Sequence, residues 1–70
     1  MKVSYNKLWK LLIDKKMNKK ELQEAAKMSP NTMAKMGRDE NVSMDVLVRI
    51  CQILSCDIGD IMEIIPSDNM

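Results

Sequence analysis

The chain is 70 residues long, 46% hydrophobic but only 3% aromatic, with eleven basic and ten acidic residues for a net charge of +1. That length holds one small domain and excludes a two-domain enzyme with an interdomain cleft. The apolar content is too high for a disordered chain, and no apolar run approaches the length needed to cross a bilayer. Leu, Ile, Met and Lys dominate, so the composition favours helices over strands and predicts an all-α fold.

Five helices are expected in chain order. The first spans roughly Tyr5 to Lys16, with Ser4 as its N-cap. Leu8, Leu11 and Leu12 lie on one face, and Trp9 and Ile13 widen the stripe. The second starts at Asn18, which with Glu21 three residues on suggests a capping box. Leu22, Ala25 and Ala26 form its inward side. The third has the sharpest start: Ser29 as cap and Pro30 in the first helical position, where the missing N–H is no loss. Met33 and Met36 face inward, and Gly37 is expected to end the helix at positive φ. Ser43 caps a fourth helix whose core face carries Leu47, Ile50, Cys51 and Leu54. Asp57 caps a last short helix from Ile58 to about Ile64, before Pro66 and the polar tail Ser67 to Met70. The whole reads as a single domain with its core over residues 5–65.

Charge is divided along the chain. Residues 1–38 carry ten basic side chains against three acidic ones, a net +7. Residues 39–70 carry Arg49 alone against seven acidic side chains, a net −6. A basic half points to a polyanionic partner. There is no histidine, hence no usual neutral-pH base and no common zinc ligand. Cys51 and Cys56 are too few for a tetrahedral zinc site and do not form a CxxC motif. With no signal peptide in view they read as reduced core residues of a cytoplasmic protein. No cofactor, metal or small-molecule ligand is expected, and no membrane association.

Only Lys27 and Met28 separate the second helix from the Ser29 cap. So short a connection forces a steep crossing, the geometry that lets one helix enter a major groove while its neighbour lies across the phosphates. The order Leu11, Met17-Asn18-Lys19-Lys20-Glu21-Leu22, Met28-Ser29-Pro30-Asn31-Thr32-Met33, Met36, Val42-Ser43-Met44, Leu47, Leu54, Asp57, Ile61 resembles the Cro/repressor type of helix-turn-helix domain. This is also called the xenobiotic-response-element (XRE) family. The resemblance covers about residues 5–65. It implies a compact five-helix, lambda-repressor-like bundle that binds operator DNA, usually as a homodimer, in bacterial or phage transcription control.

The resemblance also assigns roles. Pro30, Asn31 and Lys35 match base-reading positions: asparagine pairs with adenine, lysine reaches guanine, and proline packs on a thymine methyl. Asn18, Lys19, Ser29, Thr32 and Arg38 match phosphate or sugar contacts. The chain departs from the family in having Gln23 where a small residue is usual and Lys27 where glycine is usual. Leu12 and Gly37 stand where many members place an Arg–Glu pair, both partners being replaced together. Val46 and Ile53, off the expected core face of the fourth helix, and Ile64 and Ile65 form an expected dimer seam. The rival function is a protein-interaction module, an antitoxin or anti-repressor docking through the acidic half. RNA binding ranks lower because only Tyr5 and Trp9 offer stacking surfaces. An enzyme ranks last, for want of a nucleophile beside a base or a glycine-rich phosphate loop.

Overall fold

The computed structural model describes residues 2–66. Four helices and a small antiparallel sheet follow one another as β1 (Lys2–Ser4), α1 (Asn6–Asp14), α2 (Lys19–Ala25), α3 (Pro30–Gly37), α4 (Met44–Leu54), a 3₁₀ turn (Ile58–Asp60) and β2 (Glu63–Ile65). The polar tail Ser67 to Met70 lies outside the described residues.

Helix starts follow the side-chain caps. Asn18 Oδ1 accepts the Glu21 N–H at 2.7 Å while Glu21 Oε1 accepts the Asn18 N–H at 2.9 Å, a complete capping box. Ser29 Oγ accepts from Thr32 N at 3.1 Å, with Pro30 in the first turn, and Ser43 Oγ accepts from Val46 N at 3.3 Å. At α1 the expected cap shifts by one residue. Tyr5 is the N-cap, and Ser4, buried in β1, accepts the Asn6 N–H through its hydroxyl at 3.3 Å.

Helix ends differ from expectation. Gly37 does not stop α3 at positive φ; that role falls to Asp39 at φ 57. Lys16, Lys27 and Ser55, at φ 56, 55 and 52, do the same after α1, α2 and α4, and no glycine has positive φ. After each helix a backbone N–H reaches five residues back: Met17 to Leu12, Met28 to Gln23, Glu40 to Lys35 and Cys56 to Cys51, at 2.9–3.1 Å. These are Schellman closures, which satisfy terminal carbonyls that the helix cannot. Each places a side chain with a Cβ in the left-handed region, at a cost of about 1 kcal/mol.

The fifth helix of the expected all-α bundle is corrected. Only one 3₁₀ turn forms, with Asp57 N–H bonded to Asp60 Oδ2 at 3.0 Å. Glu63–Ile65 then pairs antiparallel with Lys2–Ser4, with Lys2 opposite Ile65, Val3 opposite Ile64 and Ser4 opposite Glu63. Ile64 and Ile65 are β-branched and Pro66 follows, so the segment fits a strand once Lys2–Ser4 offers it a partner.

The core joins every helix: Tyr5, Leu8, Leu12, Leu22, Ala26, Met28, Met33, Met36, Val46, Leu47, Ile50, Leu54 and Ile61. Leu12, one of the family departures, is part of it. Two expected stripe residues are not: Ile13 is 74% exposed, and Ala25 faces solvent, leaving Ala26 as the buried alanine of α2. Val46, assigned to a dimer seam, is also corrected. It is 7% exposed and packs in the core, because α4 buries a wider face than its 47-50-54 spacing marks.

Candidate nucleic-acid interface

α2 and α3 are joined by residues 26–29, and the turn between them is built from the closure at Lys27 and the cap at Ser29. Burial of Met33 and Met36 fixes the rotation of α3 about its axis. Pro30, Asn31, Ala34 and Lys35 are thereby exposed on the opposite side. No side-chain hydrogen bond or ion pair engages Asn31 or Lys35 among the described residues. The three base-reading candidates therefore share one open, polar helix face.

The five phosphate or sugar candidates behave differently, since each is already held by the protein. Asn18 is locked in the capping box, which also sets the Glu21 carboxylate at the start of α2. Lys19 Nζ sits 4.3 Å from the centroid of the Trp9 ring, a cation–π contact across from α1. The Ser29 and Thr32 hydroxyls lie 3.0 Å apart. Arg38 Nε meets Glu40 Oε2 at 2.7 Å on the surface. That bond holds the Glu40 carboxyl below its usual range and raises the Arg38 guanidinium further.

These restraints are compatible with binding an anion. An exposed ion pair and an exposed cation–π contact are weak, and a phosphate that accepts several hydrogen bonds competes with both. The first N–H groups of α2, at Lys19 and Lys20, have no intrahelical acceptor and add to the positive end of the helix dipole.

Of the seam residues, Ile64 is 56% exposed on β2, while Ile53 and Ile65 are half-buried. Met44, Val48 and Ile58 are also open, at 63%, 45% and 38% exposure, and none of the three was among the expected seam residues. They line a groove of about 500 Å³ between α4 and the 3₁₀ turn, floored by Leu47, Cys51 and Cys56. The two thiols are unlinked. Burial, the neighbouring Cys51 thiol and Asp60 push the Cys56 thiol up, against a weaker pull from Lys15.

Sequence reading passed over Arg49. Arg49 Nη1 donates to the carbonyls of Ala26 and Lys27 at 3.0 and 3.2 Å, spanning from α4 to the turn between α2 and α3. Its signal was present in the sequence, as the single basic residue of an otherwise acidic half.

Among the described residues no group of three or more His, Cys, Asp or Glu is arranged to hold a metal, and no helix is long and apolar enough to cross a membrane.

No curated protein matches the chain. Among solved structures, the crystal structure of transcriptional regulator VanUg (Form II) is 59% identical, superposes with a TM-score of 0.92, and is matched over 94% of this chain and 88% of that one. Residues 7–67 match the family model of the Cro/C1-type HTH DNA-binding domain. A helix-turn-helix with an open polar second helix, within residues matched over nearly their whole length, places this chain in the Cro/C1-type helix-turn-helix DNA-binding family.

Proposed function

We infer that the protein is a sequence-specific double-stranded DNA-binding regulator that acts as a repressor, with α3 as the helix read into the major groove. The observation that carries this is the exposed face of α3. Asn31 and Lys35 stand open beside Pro30, while Met33 and Met36 anchor the opposite side in the core. Asn31 offers an amide that pairs with an adenine edge, and Lys35 an ammonium for guanine O6 or N7. Lys19, Arg38 and the Ser29–Thr32 hydroxyl pair flank that face as backbone contacts, drawing on a half of the chain with net charge +7.

One copy offers a single short helix to the groove, so two copies on half-sites about one helical turn apart are the form in which it binds tightly. Burial of Val46 removes it from the seam and favours the exposed Met44, Val48 and Ile58 as its centre, with Ile64. Analytical ultracentrifugation reads this directly: a species of twice the 8.0 kDa chain on a palindromic duplex supports the dimer, and one copy per duplex excludes it.

The deciding experiment selects duplexes from a random pool with the purified protein, then measures binding by Asn31→Ala/Lys35→Ala. Loss of affinity for the selected duplex at unchanged melting temperature supports the reader role. Undiminished affinity, or no enrichment at low ionic strength, overturns it in favour of docking to a protein.

A further inference from the structure

The turn between α2 and α3 is strained and also clamped. Lys27, not glycine, occupies its left-handed position at φ 55. The carbonyls of Ala26 and Lys27 follow the last turn of α2, where no helical N–H is available to them. Arg49 Nη1 donates to both, at 3.0 and 3.2 Å. Arg49 Nη2 meets Asp45 Oδ2 at 3.2 Å, one turn earlier on α4. Arg49 Nε is buried with no acceptor among the described residues, so the two turn carbonyls and Asp45 are what orient the guanidinium. α4 is itself fixed by Val46, Leu47, Ile50 and Leu54 in the core.

We propose that Arg49 is a positioning residue for DNA recognition: by holding the Ala26 and Lys27 carbonyls it sets the angle at which α3 presents Asn31 and Lys35. This rests on the reading of α3 as the recognition helix. The mechanics follow from the connection. Met28 N–H is bonded to the Gln23 carbonyl and Ser29 already belongs to the cap of α3, so α3 departs from the Lys27–Met28 peptide, and a tilt of that peptide is what swings α3 against α2. The bond to Gln23 holds the N–H side of this planar unit, the Arg49 clamp holds its carbonyl side, and a left-handed residue other than glycine adds little tolerance for a tilt. The planar guanidinium reaches two carbonyls while keeping Asp45, which a lysine ammonium does with less directional control. Base reading depends on such control and phosphate attraction much less, because only the former needs aligned edges.

The test compares binding to the duplex selected by the wild-type protein with binding to a scrambled duplex of the same length. Measurements are made well below each variant's melting temperature. Arg49→Met is expected to lose about tenfold in affinity for the selected duplex, the worth of one good base contact. Its affinity for the scrambled duplex and the slope of log affinity against log salt should stay unchanged. Arg49→Lys should fall between. Lys27→Gly alone should keep full affinity, since the clamp remains. Added to Arg49→Met, Lys27→Gly should restore melting temperature by relieving strain but not restore selectivity, because the turn is then freer still.

Affinity that recovers together with melting temperature in the double variant makes Arg49 a stabilising residue only and overturns the proposal. Equal losses on both duplexes overturn it too, as the mark of a lost charge. Should Arg49→Met fail to fold, Arg49→Lys with and without Lys27→Gly gives the same comparison. If the wild-type protein selects no duplex at all, the reading of α3 fails, and this failure is distinguishable because it precedes any change at Arg49.

Discussion

The Tyr5 hydroxyl donates to the backbone carbonyl of Glu40 at 2.8 Å, joining the start of α1 to the loop beyond α3 across 35 residues of sequence. Tyr5 N–H adds a bond to Asp39 Oδ1 at 3.2 Å, so the residue that closes α3 is held by the same tyrosine. The ring is almost wholly buried, and loss of its hydroxyl leaves the Glu40 carbonyl short of a donor. Tyr5→Phe should therefore cost about 1 kcal/mol in urea unfolding, with an unchanged denaturant slope. A cost near zero would mean that water replaces the phenol.

The same tyrosine sets an alkaline limit. Burial pushes its phenol above the ordinary value, Asp39 adds to this, and a backbone bond from Val42 pulls the other way. A raised folded value favours the neutral phenol, so its contribution is complete below about pH 10 and is lost as pH rises through the folded value. Wild-type melting temperature should fall over that range more steeply than that of Tyr5→Phe. Tyr5 is the only tyrosine, so phenolate absorbance assigns the titration without ambiguity.

Glycine is misplaced in this chain relative to the backbone's needs. Gly37 lies in α3 with open space where a Cβ would stand, while Lys16 and Lys27 carry side chains at positive φ. Gly37→Ala should stabilise by up to about 1 kcal/mol, and Lys16→Gly by a similar amount. Asp39→Gly should gain little, because relief of strain is offset by loss of the bond from Tyr5 N–H. Thermal melts of the three variants check the ordering, and a destabilised Gly37→Ala would refute it.

The caps made much of this fold legible. Asn18 with Glu21, Ser29 with Pro30, and Ser43 are local side-chain-to-backbone arrangements, so a sequence carries them openly. The helix ends were less legible: the closure at Lys27 was marked only by the resemblance, those at Lys16 and Ser55 use residues with no preference for the left-handed region, and Asp39, which has some, was overshadowed by Gly37. Tertiary packing imposes them. The strand at Glu63–Ile65 was hidden for a related reason: its partner lies at the other end of the chain. Within the site, the exposed face of α3 followed from methionine spacing alone. The holds on Lys19, Arg38 and the turn depend on Trp9, Glu40 and Arg49, whose roles appear only when separate elements meet.

The Arg38–Glu40 pair restrains a candidate phosphate contact. Because Arg38 keeps the Glu40 carboxyl below its usual range, the pair persists through mildly acidic conditions and breaks only as pH falls through that lowered value. Glu40→Gln should free the guanidinium at neutral pH and remove a repulsive charge beside the backbone. Affinity for any duplex should rise at low salt, with a log–log salt slope steeper by up to about one. An unchanged slope would show that Arg38 stays clear of the phosphates.

Substitutions at Lys35 and Lys19 test the proposed division between reading and gripping. Lys35 stands on the same open face as Asn31, so Lys35→Ala should relax preference at one base pair, a change of about 1–3 kcal/mol in discrimination. Lys19, 4.3 Å from the Trp9 ring, is held at the start of α2, the position proposed to grip the backbone. Lys19→Ala should weaken all duplexes alike and lower the salt slope by about one. Trp9→Leu should reproduce part of that loss by releasing the lysine. Salt titrations on the selected and scrambled duplexes distinguish the patterns. If Lys19→Ala changes sequence preference while Lys35→Ala does not, the groove is entered by α2 and the assignment of α3 is wrong.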